Sequence, residues 1–111
     1  MQEFVLTINL VDDETKIAQY KAYHRDVWPE VRACLQDVGI LQMDIYALGR
    51  RLVMLVRAEA GFDLARDFGR LPSLHPRYRE WQELMDAFQE KLPEAKPGEH
   101  WSSMDHIFHL P

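Results

Sequence analysis

The order in which two hydrophobic periods alternate along the chain is the feature that most constrains its fold. Four segments have the two-residue apolar period of a β-strand, and the stretches between them have the three-to-four-residue period of amphipathic helices. The predicted strands span residues 3–11, 40–48, 51–60 and 102–110. The order β, α, β, β, α, β predicts an α+β fold, a ferredoxin-like protomer whose antiparallel sheet carries its helices on one face.

Pro29 interrupts the first helical stretch. Proline disfavours helical geometry in the residue before it and suits the first turn of a new helix. We therefore expect a helix from about Glu14 to His24, capped by Asp12 or Asp13, a break over residues 26–28, and a second segment from Pro29 to Gly39.

Glycines and prolines divide the second half of the chain. Gly49 and Arg50 form the predicted tight turn of a hairpin between residues 40–48 and 51–60. A short helix is expected over residues 62–68, and Pro72 with Ser73 begins a loop. The second long helix is expected over residues 75–92, where apolar residues recur at helical spacing.

The predicted sheet is apolar on both faces. Val5, Leu52, Met54 and Val56 are candidate residues of the face that the helices leave uncovered. A large apolar surface of this kind is commonly buried against another protein, most simply a second copy of the same chain. We therefore expect a homodimer.

Length and charge exclude several classes of protein. A chain of 111 residues fits a single domain, residues 1–111, with a sizeable core. The net charge of −5 argues against binding to nucleic acid or to an anionic membrane surface. No apolar run approaches the roughly 20 residues that span a bilayer, and the N-terminus has no signal-peptide pattern, so the cytoplasm is the expected location.

The residue types that bind metals or form nucleophiles have no diagnostic spacing. The five histidines form neither an H-E-x-x-H motif nor a site with paired thiolates. Cys34 is the only cysteine, and its apolar neighbours favour a buried position over the role of a nucleophile, which would need an activating base. We expect no metal and no cofactor.

Tyr20, His24 and Trp28 recur at four-residue intervals and would share one helical face. An imidazole has a pKa of about 6.5 and can donate or accept a proton near neutral pH. A phenol and an indole beside it could grip a small polar molecule. The alternative interpretation is an aromatic core stripe that contains one hydrogen-bonded histidine.

Trp81 is open to the same two interpretations. Its position on an amphipathic helix favours packing in the core. An indole is also a good surface for the C–H face of a sugar ring, and the adjacent Gln82 could exchange hydrogen bonds with sugar hydroxyls.

Several motifs together resemble the L-rhamnose mutarotase family. The most specific is Y-x-x-x-H-x-x-x-W-P-E, which begins at Tyr20, and the resemblance spans nearly the whole chain. The other matching residues are Ile45, Tyr46, Trp81, Met85 and the terminal Phe108, His109, Leu110 and Pro111. The resemblance implies a dimeric α+β barrel of two ferredoxin-like protomers, and an enzyme that interconverts the α and β anomers of a 6-deoxy-L-sugar without a cofactor.

The resemblance also implies roles for individual residues. His24 matches the family's proton donor, Tyr20 matches a substrate-contacting tyrosine, and Trp81 matches the first of two tryptophans in the sugar site. Met43 stands where the rhamnose-type pattern has a substrate-contacting tyrosine, and Gln82 stands where it has the second tryptophan. We predict that these five residues form the site.

Those two departures imply a change of sugar. Methionine cannot form the hydrogen bond of the tyrosine hydroxyl, and polar groups left without partners discriminate strongly between substrates. The run from Met43 to Met54, together with residues 96–98 and Trp101, resembles a branch associated with L-fucose. We expect L-fucose to be favoured over L-rhamnose. The alternatives are an L-rhamnose mutarotase proper and a non-catalytic dimer that binds a small ligand.

The expected reaction is ring opening followed by reclosure. An acid, for which His24 is the candidate, protonates the ring oxygen, while a base removes the proton of the C1 hydroxyl. Tyr20 would orient the sugar or relay a proton, and Trp81 would stack against it. The sequence does not identify the base, which could be a second side chain or water.

Overall fold

An antiparallel sheet forms the centre of the computed structural model, which describes all 111 residues. Its strands are β1 (Gln2–Leu10), β2 (Ile40–Leu48), β3 (Arg51–Ala58), β4 (Gln89–Glu90) and β5 (Ser102–Ser103). The order is β2, β3, β1, β4, and β5 also pairs with β1. Four helices complete the chain: α1 (Glu14–Tyr23), α2 (Pro29–Asp37), α3 (Leu64–Leu74) and α4 (Pro76–Asp86). The α+β class and the ferredoxin-like arrangement are confirmed.

The predicted break before Pro29 is also confirmed. The Asp13 side chain caps α1 by accepting a hydrogen bond from the Lys16 amide at 3.1 Å, and α1 ends at Tyr23. Trp28 then serves as N-cap of α2, with Pro29 in the first turn. Gly39, at φ 99°, allows the chain to leave α2 and enter β2.

The predicted helix boundaries in the second half are wrong. Residues 62–68 and 75–92 were the expected helices, but α3 runs to Leu74 and includes Pro72. The break lies at His75, which is extended at φ −158° and ψ 138°. The reason is Pro76, which disfavours helical geometry in the residue before it and begins α4. The helix α4 ends at Asp86, so that Gln89 and Glu90 can pair with β1.

The predicted strand over residues 102–110 is correct only for Ser102 and Ser103. The Met104 amide still donates to the Val5 carbonyl at 2.8 Å, after which the chain leaves β1. Ile107 is 92% exposed, and Phe108 and Leu110 are also exposed. A strand needs a partner for its backbone and a surface for its side chains, and the tail has neither within its own chain.

The two faces of the sheet differ from the sequence-based assignment. Leu52, Met54 and Val56 were expected on the uncovered face, but all three are buried in the core against the helices. Val5 does lie on the uncovered face, where it pairs with Leu55. The reason is the register, because β1 aligns Leu6 with Met54 and Ile8 with Leu52. The helix-facing side is therefore the more apolar of the two.

None of the four helices is long and apolar enough to cross a membrane.

Asp67 is a buried carboxylate at the start of α3, with 1% of its surface exposed. It accepts hydrogen bonds from the Asp63 amide at 2.8 Å and from the guanidinium groups of Arg66 and Arg70. The hydrogen bonds from Arg66, from the Asp63 amide and from Arg70 hold the pKa of Asp67 well below its usual range. This cluster joins the first turn of α3 to the loop before it.

We expect Asp67→Asn to lower the melting temperature at pH 7 more than Asp105→Asn, which removes an exposed carboxylate from the tail. Because the folded-state pKa of Asp67 is depressed, its contribution is complete above the unfolded value of about 3.9 and is lost as the pH falls below it. The difference between wild type and Asp67→Asn should therefore be somewhat smaller at pH 3 than at pH 7, and it disappears only when the pH falls through the folded-state pKa. Thermal unfolding followed by circular dichroism at both pH values measures this. Equal melting temperatures for the two variants at pH 7 would contradict it.

Candidate active site

Tyr20, His24, Trp28 and Trp81 form a contiguous group of rings. The ring centroids of Tyr20 and His24 are 4.4 Å apart, those of His24 and Trp81 5.4 Å, and those of Trp28 and Trp81 5.1 Å. The three residues do not form a single helical stripe, because α1 ends at Tyr23 and Trp28 caps α2, but His24 and Trp28 both contact Trp81 of α4. Three of the five predicted site residues, namely Tyr20, His24 and Trp81, lie together.

Local structure explains how the group forms. Tyr20 is the one buried residue of α1, and His24 is the C-cap residue of the same helix. The break over residues 24–28 then turns the chain so that Trp28 packs against Trp81. Trp81 and Met85 are the buried residues of α4. The rings thus stand where the end of α1 and the start of α2 meet α4.

The hydrogen bond of His24 defines its protonation. Its Nδ1 lies 2.8 Å from the Tyr20 carbonyl oxygen. A carbonyl oxygen can only accept, so Nδ1 carries the hydrogen and donates it, and Nε2 has the free lone pair of the neutral ring. Burial lowers the pKa of His24 below its ordinary value of 6.5, and the hydrogen bond to the Tyr20 carbonyl opposes this only in part. At pH 7 the ring is therefore mainly neutral, with Nε2 as a proton acceptor.

Tyr20 stays protonated. Burial raises the pKa of its phenol to about 12, although a hydrogen bond with Gln89 acts in the opposite direction. The Gln89 Nε2 lies 3.1 Å from the phenol oxygen. Tyr20 can therefore supply or receive a hydrogen bond at neutral pH, and a phenolate is not available as a base.

Charged residues lie beside the outer tryptophan. The Arg77 guanidinium stands 3.7 Å from the centroid of the Trp28 ring, a cation–π contact. Its Nε is 3.9 Å from the Glu30 carboxylate, whose other oxygen, Oε2, is buried without a hydrogen-bond partner. This edge of the group is polar, whereas the side facing Phe88 is apolar.

Met43 and Gln82 lie outside the group of rings. Met43 is half-buried on the helix-facing side of β2, where it packs against the neighbouring cluster that contains Leu6 and Cys34. Gln82 is exposed on α4. It lines a shallow surface pocket with Pro72, Arg79, Glu83 and Asp86. Cys34 itself is buried, and no group of three or more His, Cys, Asp and Glu side chains is arranged to hold a metal ion.

The sequence interpretation missed two residues that touch the group, Tyr23 and Gln89, and a third, His100, that is hydrogen-bonded to Gln89. Tyr23 packs against Trp81 with ring centroids 6.3 Å apart, and Gln89 and His100 form a hydrogen-bonded pair beside Tyr20. Gln89 was assigned to the helix over residues 75–92. No local pattern marks these contacts, because 69 positions separate Gln89 from Tyr20.

Sequence comparison relates the chain to sugar mutarotases. A family model described as L-rhamnose mutarotase matches residues 3–110. An L-fucose mutarotase from Xanthomonas campestris pv. campestris is 42% identical over 99% of this chain and 89% of its own length. An L-rhamnose mutarotase from Acidiphilium cryptum is 30% identical over 89% of this chain and 90% of its own length.

Solved structures support the fold. The L-rhamnose mutarotase from Formosa agariphila superposes with a TM-score of 0.69 at 16% identity and with complete coverage of both chains. A dimeric ferredoxin-like protein from an uncultured marine organism superposes with a TM-score of 0.56 at 11% identity, over 98% of this chain and 91% of its own.

Proposed function

The chain belongs to the L-rhamnose mutarotase family and is therefore a sugar mutarotase, an isomerase that acts on carbohydrates. From this premise we propose that it interconverts the α and β anomers of a 6-deoxy-L-hexose and favours L-fucose over L-rhamnose. The observation that carries the proposal is His24, a neutral imidazole with a free Nε2, set between the rings of Tyr20 and Trp81.

The proposed mechanism gives His24 the role of the base instead of the acid expected from the sequence, because its Nε2 carries no hydrogen in the neutral ring. Nε2 first accepts the proton of the C1 hydroxyl. Opening of the ring breaks the bond between C1 and the ring oxygen, which receives a proton from water or a second group, and leaves the open aldehyde. Rotation about C1–C2 presents the other face of the aldehyde. As the ring closes, the hydroxyl oxygen forms its bond to C1 and gives its proton back to the water or second group, while the imidazolium of His24 returns its proton to the C1 oxygen.

The two other residues of the group bind the sugar in this proposal. Trp81 is 6% exposed, so in this proposal the C–H face of the sugar packs on the part of the indole ring that stays open beside His24. Tyr20, whose phenol remains protonated, hydrogen-bonds a sugar oxygen. Holding the sugar against a fixed imidazole contributes to the rate because the reacting atoms no longer have to find one another in solution.

Two observations support L-fucose as the preferred sugar. The L-fucose mutarotase is 42% identical to this chain, whereas the L-rhamnose mutarotase from Acidiphilium cryptum is 30% identical. Met43 and Gln82 also depart from the rhamnose-type pattern. Met43 lies two residues before Ile45 on β2, and Ile45 packs against the cluster that contains Tyr20 and Trp81. Methionine in place of the tyrosine of the rhamnose-type pattern therefore changes a side chain next to the site.

The proposed assembly is a homodimer that buries the uncovered face of the sheet. Val5 and Leu55 form an apolar pair on this face, with Tyr46 exposed nearby on β2. The tail residues Ile107 and Phe108 are also exposed apolar side chains. A second copy that covered the face would remove this surface from water.

We expect Leu55→Asp to convert the dimer to a monomer of 13.1 kDa, because association would bury an unpaired carboxylate. Leu74→Asp is the matched control, since Leu74 is 40% exposed and Leu55 37%, but Leu74 lies on α3 away from the sheet face. Light scattering after size-exclusion chromatography gives the mass. A wild-type monomer, or a Leu55→Asp variant that remains dimeric, would contradict the proposed interface.

The pH dependence of the exchange rate should follow the neutral form of His24. Because burial lowers the pKa of His24 below 6.5, the rate should be level between pH 7 and 8 and fall on the acid side with a midpoint below 6.5. The rate is measured by NMR after subtraction of the enzyme-free exchange at each pH. A rate that rises as the pH falls from 7 would show instead that the imidazolium is the starting form.

Saturation-transfer NMR tests the function itself. Irradiation of one anomeric proton of L-fucose reduces the signal of the other only if the anomers exchange during the measurement. A protein that binds the sugar without catalysis leaves this transfer at its enzyme-free value, which separates the mutarotase from the alternative of a ligand-binding dimer.

A further inference from the structure

Two hydrogen bonds and one ion-pair contact connect Tyr20 to three residues that the proposed mechanism does not use. The phenol oxygen of Tyr20 lies 3.1 Å from Gln89 Nε2, and Gln89 Oε1 lies 2.6 Å from His100 Nε2. The same His100 nitrogen is 3.3 Å from Asp86 Oδ1. These side chains come from α1, β4, the segment before β5 and the end of α4, so these contacts link four separate parts of the fold.

Asp86 determines the direction of these hydrogen bonds. An ionised carboxylate can only accept, so His100 Nε2 must carry a hydrogen to be attracted to it. That N–H also faces Gln89, which therefore presents its carbonyl oxygen to His100. The amide nitrogen of Gln89 is then left to face Tyr20 as a donor. One carboxylate thus sets the tautomer of His100 and the orientation of the Gln89 amide.

The consequence for Tyr20 is that its oxygen accepts and its hydrogen is free. Gln89 is the one protein hydrogen-bond partner of this phenol, and Tyr20 has only 3% of its surface exposed. In the reverse arrangement the phenol would donate to Gln89, and the amide nitrogen would face His100. His100 Nε2 would then carry no hydrogen, and its lone pair would face the lone pairs of the Asp86 carboxylate oxygen, which repel it.

We propose that Gln89, oriented by His100, is a positioning residue that holds the Tyr20 phenol as a hydrogen-bond donor to an oxygen of the bound sugar. This rests on the proposed function. Gln89 does not touch the sugar and acts only through Tyr20. Its amide occupies one lone pair of the phenol oxygen and leaves the O–H directed away from β4. The same contact fixes the side chain of the one buried residue of α1.

The test is a double-mutant cycle with Gln89→Glu and Tyr20→Phe. Glutamate keeps the shape of the side chain and the oxygen that accepts from His100. It replaces the amide nitrogen that donates to Tyr20 with a second oxygen, so the phenol turns its hydrogen towards that oxygen. We expect Q89E and Y20F each to lower the rate at saturating L-fucose by about tenfold, the order of one hydrogen bond to a buried group. The double variant should be no slower than Y20F alone. Multiplied losses in the double variant, or an unchanged rate in Q89E, would overturn the proposal.

Two further variants keep the outcome interpretable. Gln36→Glu, on the exposed side of α2, is the control for an added carboxylate and should retain the wild-type rate. If Q89E has lost its cooperative thermal transition, Gln89→Met enters the same cycle, because it removes the amide and retains the length of the side chain. Wild-type protein is measured alongside. If the wild type catalyses exchange and Q89E catalyses it equally fast, the positioning role alone is refuted. If the wild type catalyses no exchange, the proposed function and this inference are both refuted.

Discussion

Replacement of His24 by alanine should slow enzymatic anomer exchange by about 100-fold to 10,000-fold, the usual contribution of a positioned acid–base group. The variant loses the Nε2 that receives the proton of the C1 hydroxyl, while Tyr20 and Trp81 can still bind the sugar. The Michaelis constant should therefore change much less than the maximal rate. NMR exchange rates over a series of L-fucose concentrations separate the two quantities.

The control for this experiment is a histidine outside the group of rings. His75 caps α4 by accepting a hydrogen bond from the Arg77 amide at 3.0 Å, and asparagine at that position can keep a cap. We expect His75→Asn to retain the wild-type rate. Thermal unfolding of both variants checks that the fold is intact. A folded His24→Ala variant with a near-normal rate would remove His24 from the mechanism.

Trp81→Ala should cost about 3–5 kcal/mol of the free energy of unfolding, as large-to-alanine substitutions of buried aromatic residues do. Trp81 is 6% exposed and its ring meets those of Tyr23, His24 and Trp28. Its removal opens a cavity where α1 and α2 meet α4. For a domain whose total stability is about 5–15 kcal/mol, this loss is a large fraction.

Urea unfolding measures this loss, and Trp81→Phe is the matched comparison. Phenylalanine fills much of the space, so Trp81→Phe should lose less stability and stay folded, with weaker binding of L-fucose because the sugar contacts a smaller ring. A loss of less than 1 kcal/mol in Trp81→Ala would contradict the buried, central position of this side chain. Unchanged affinity in Trp81→Phe would contradict its role as the wall of the sugar site.

The sequence predicted best those elements whose ends are marked by residues with special backbone requirements. The limits of β2 were predicted as observed because Gly39 and Gly49 flank it, both at positive φ. Pro29 marked the start of α2 in the same way. Between Phe62 and Leu92 there are two prolines, and either could mark the break between two helices. The local pattern does not show that Pro72 lies within the last turn of α3, whereas Pro76 begins α4.

The tail shows a different limit. Residues 102–110 have a strand-like alternation, but alternation reports only which side chains could share a face. Whether a strand forms depends on a partner edge, and β1 offers one only as far as Met104. The face assignment of Leu52, Met54 and Val56 failed for a related reason, because a strand apolar on both sides does not reveal which side the helices cover.

Within the candidate site, spacing drew attention to Tyr20 and His24 and the family resemblance added Trp81; the three side chains lie together, and their roles stay predictions. The protonation of His24 could not be predicted, because it depends on a backbone carbonyl and on burial. The pair Gln89 and His100 could not be predicted either, since β4 must first pair with β1 to bring Gln89 beside Tyr20. Whether Met43 and Gln82 tune the choice of sugar stays a prediction.

The most direct test of the account is saturation transfer between the anomeric protons of L-fucose in the presence of the wild-type protein, with L-rhamnose measured in parallel. We expect irradiation of the α signal to attenuate the β signal at catalytic protein concentrations, more strongly for L-fucose, and His24→Ala to return the transfer towards its enzyme-free value. A β signal that the wild-type protein leaves at its enzyme-free intensity for both sugars would contradict the account.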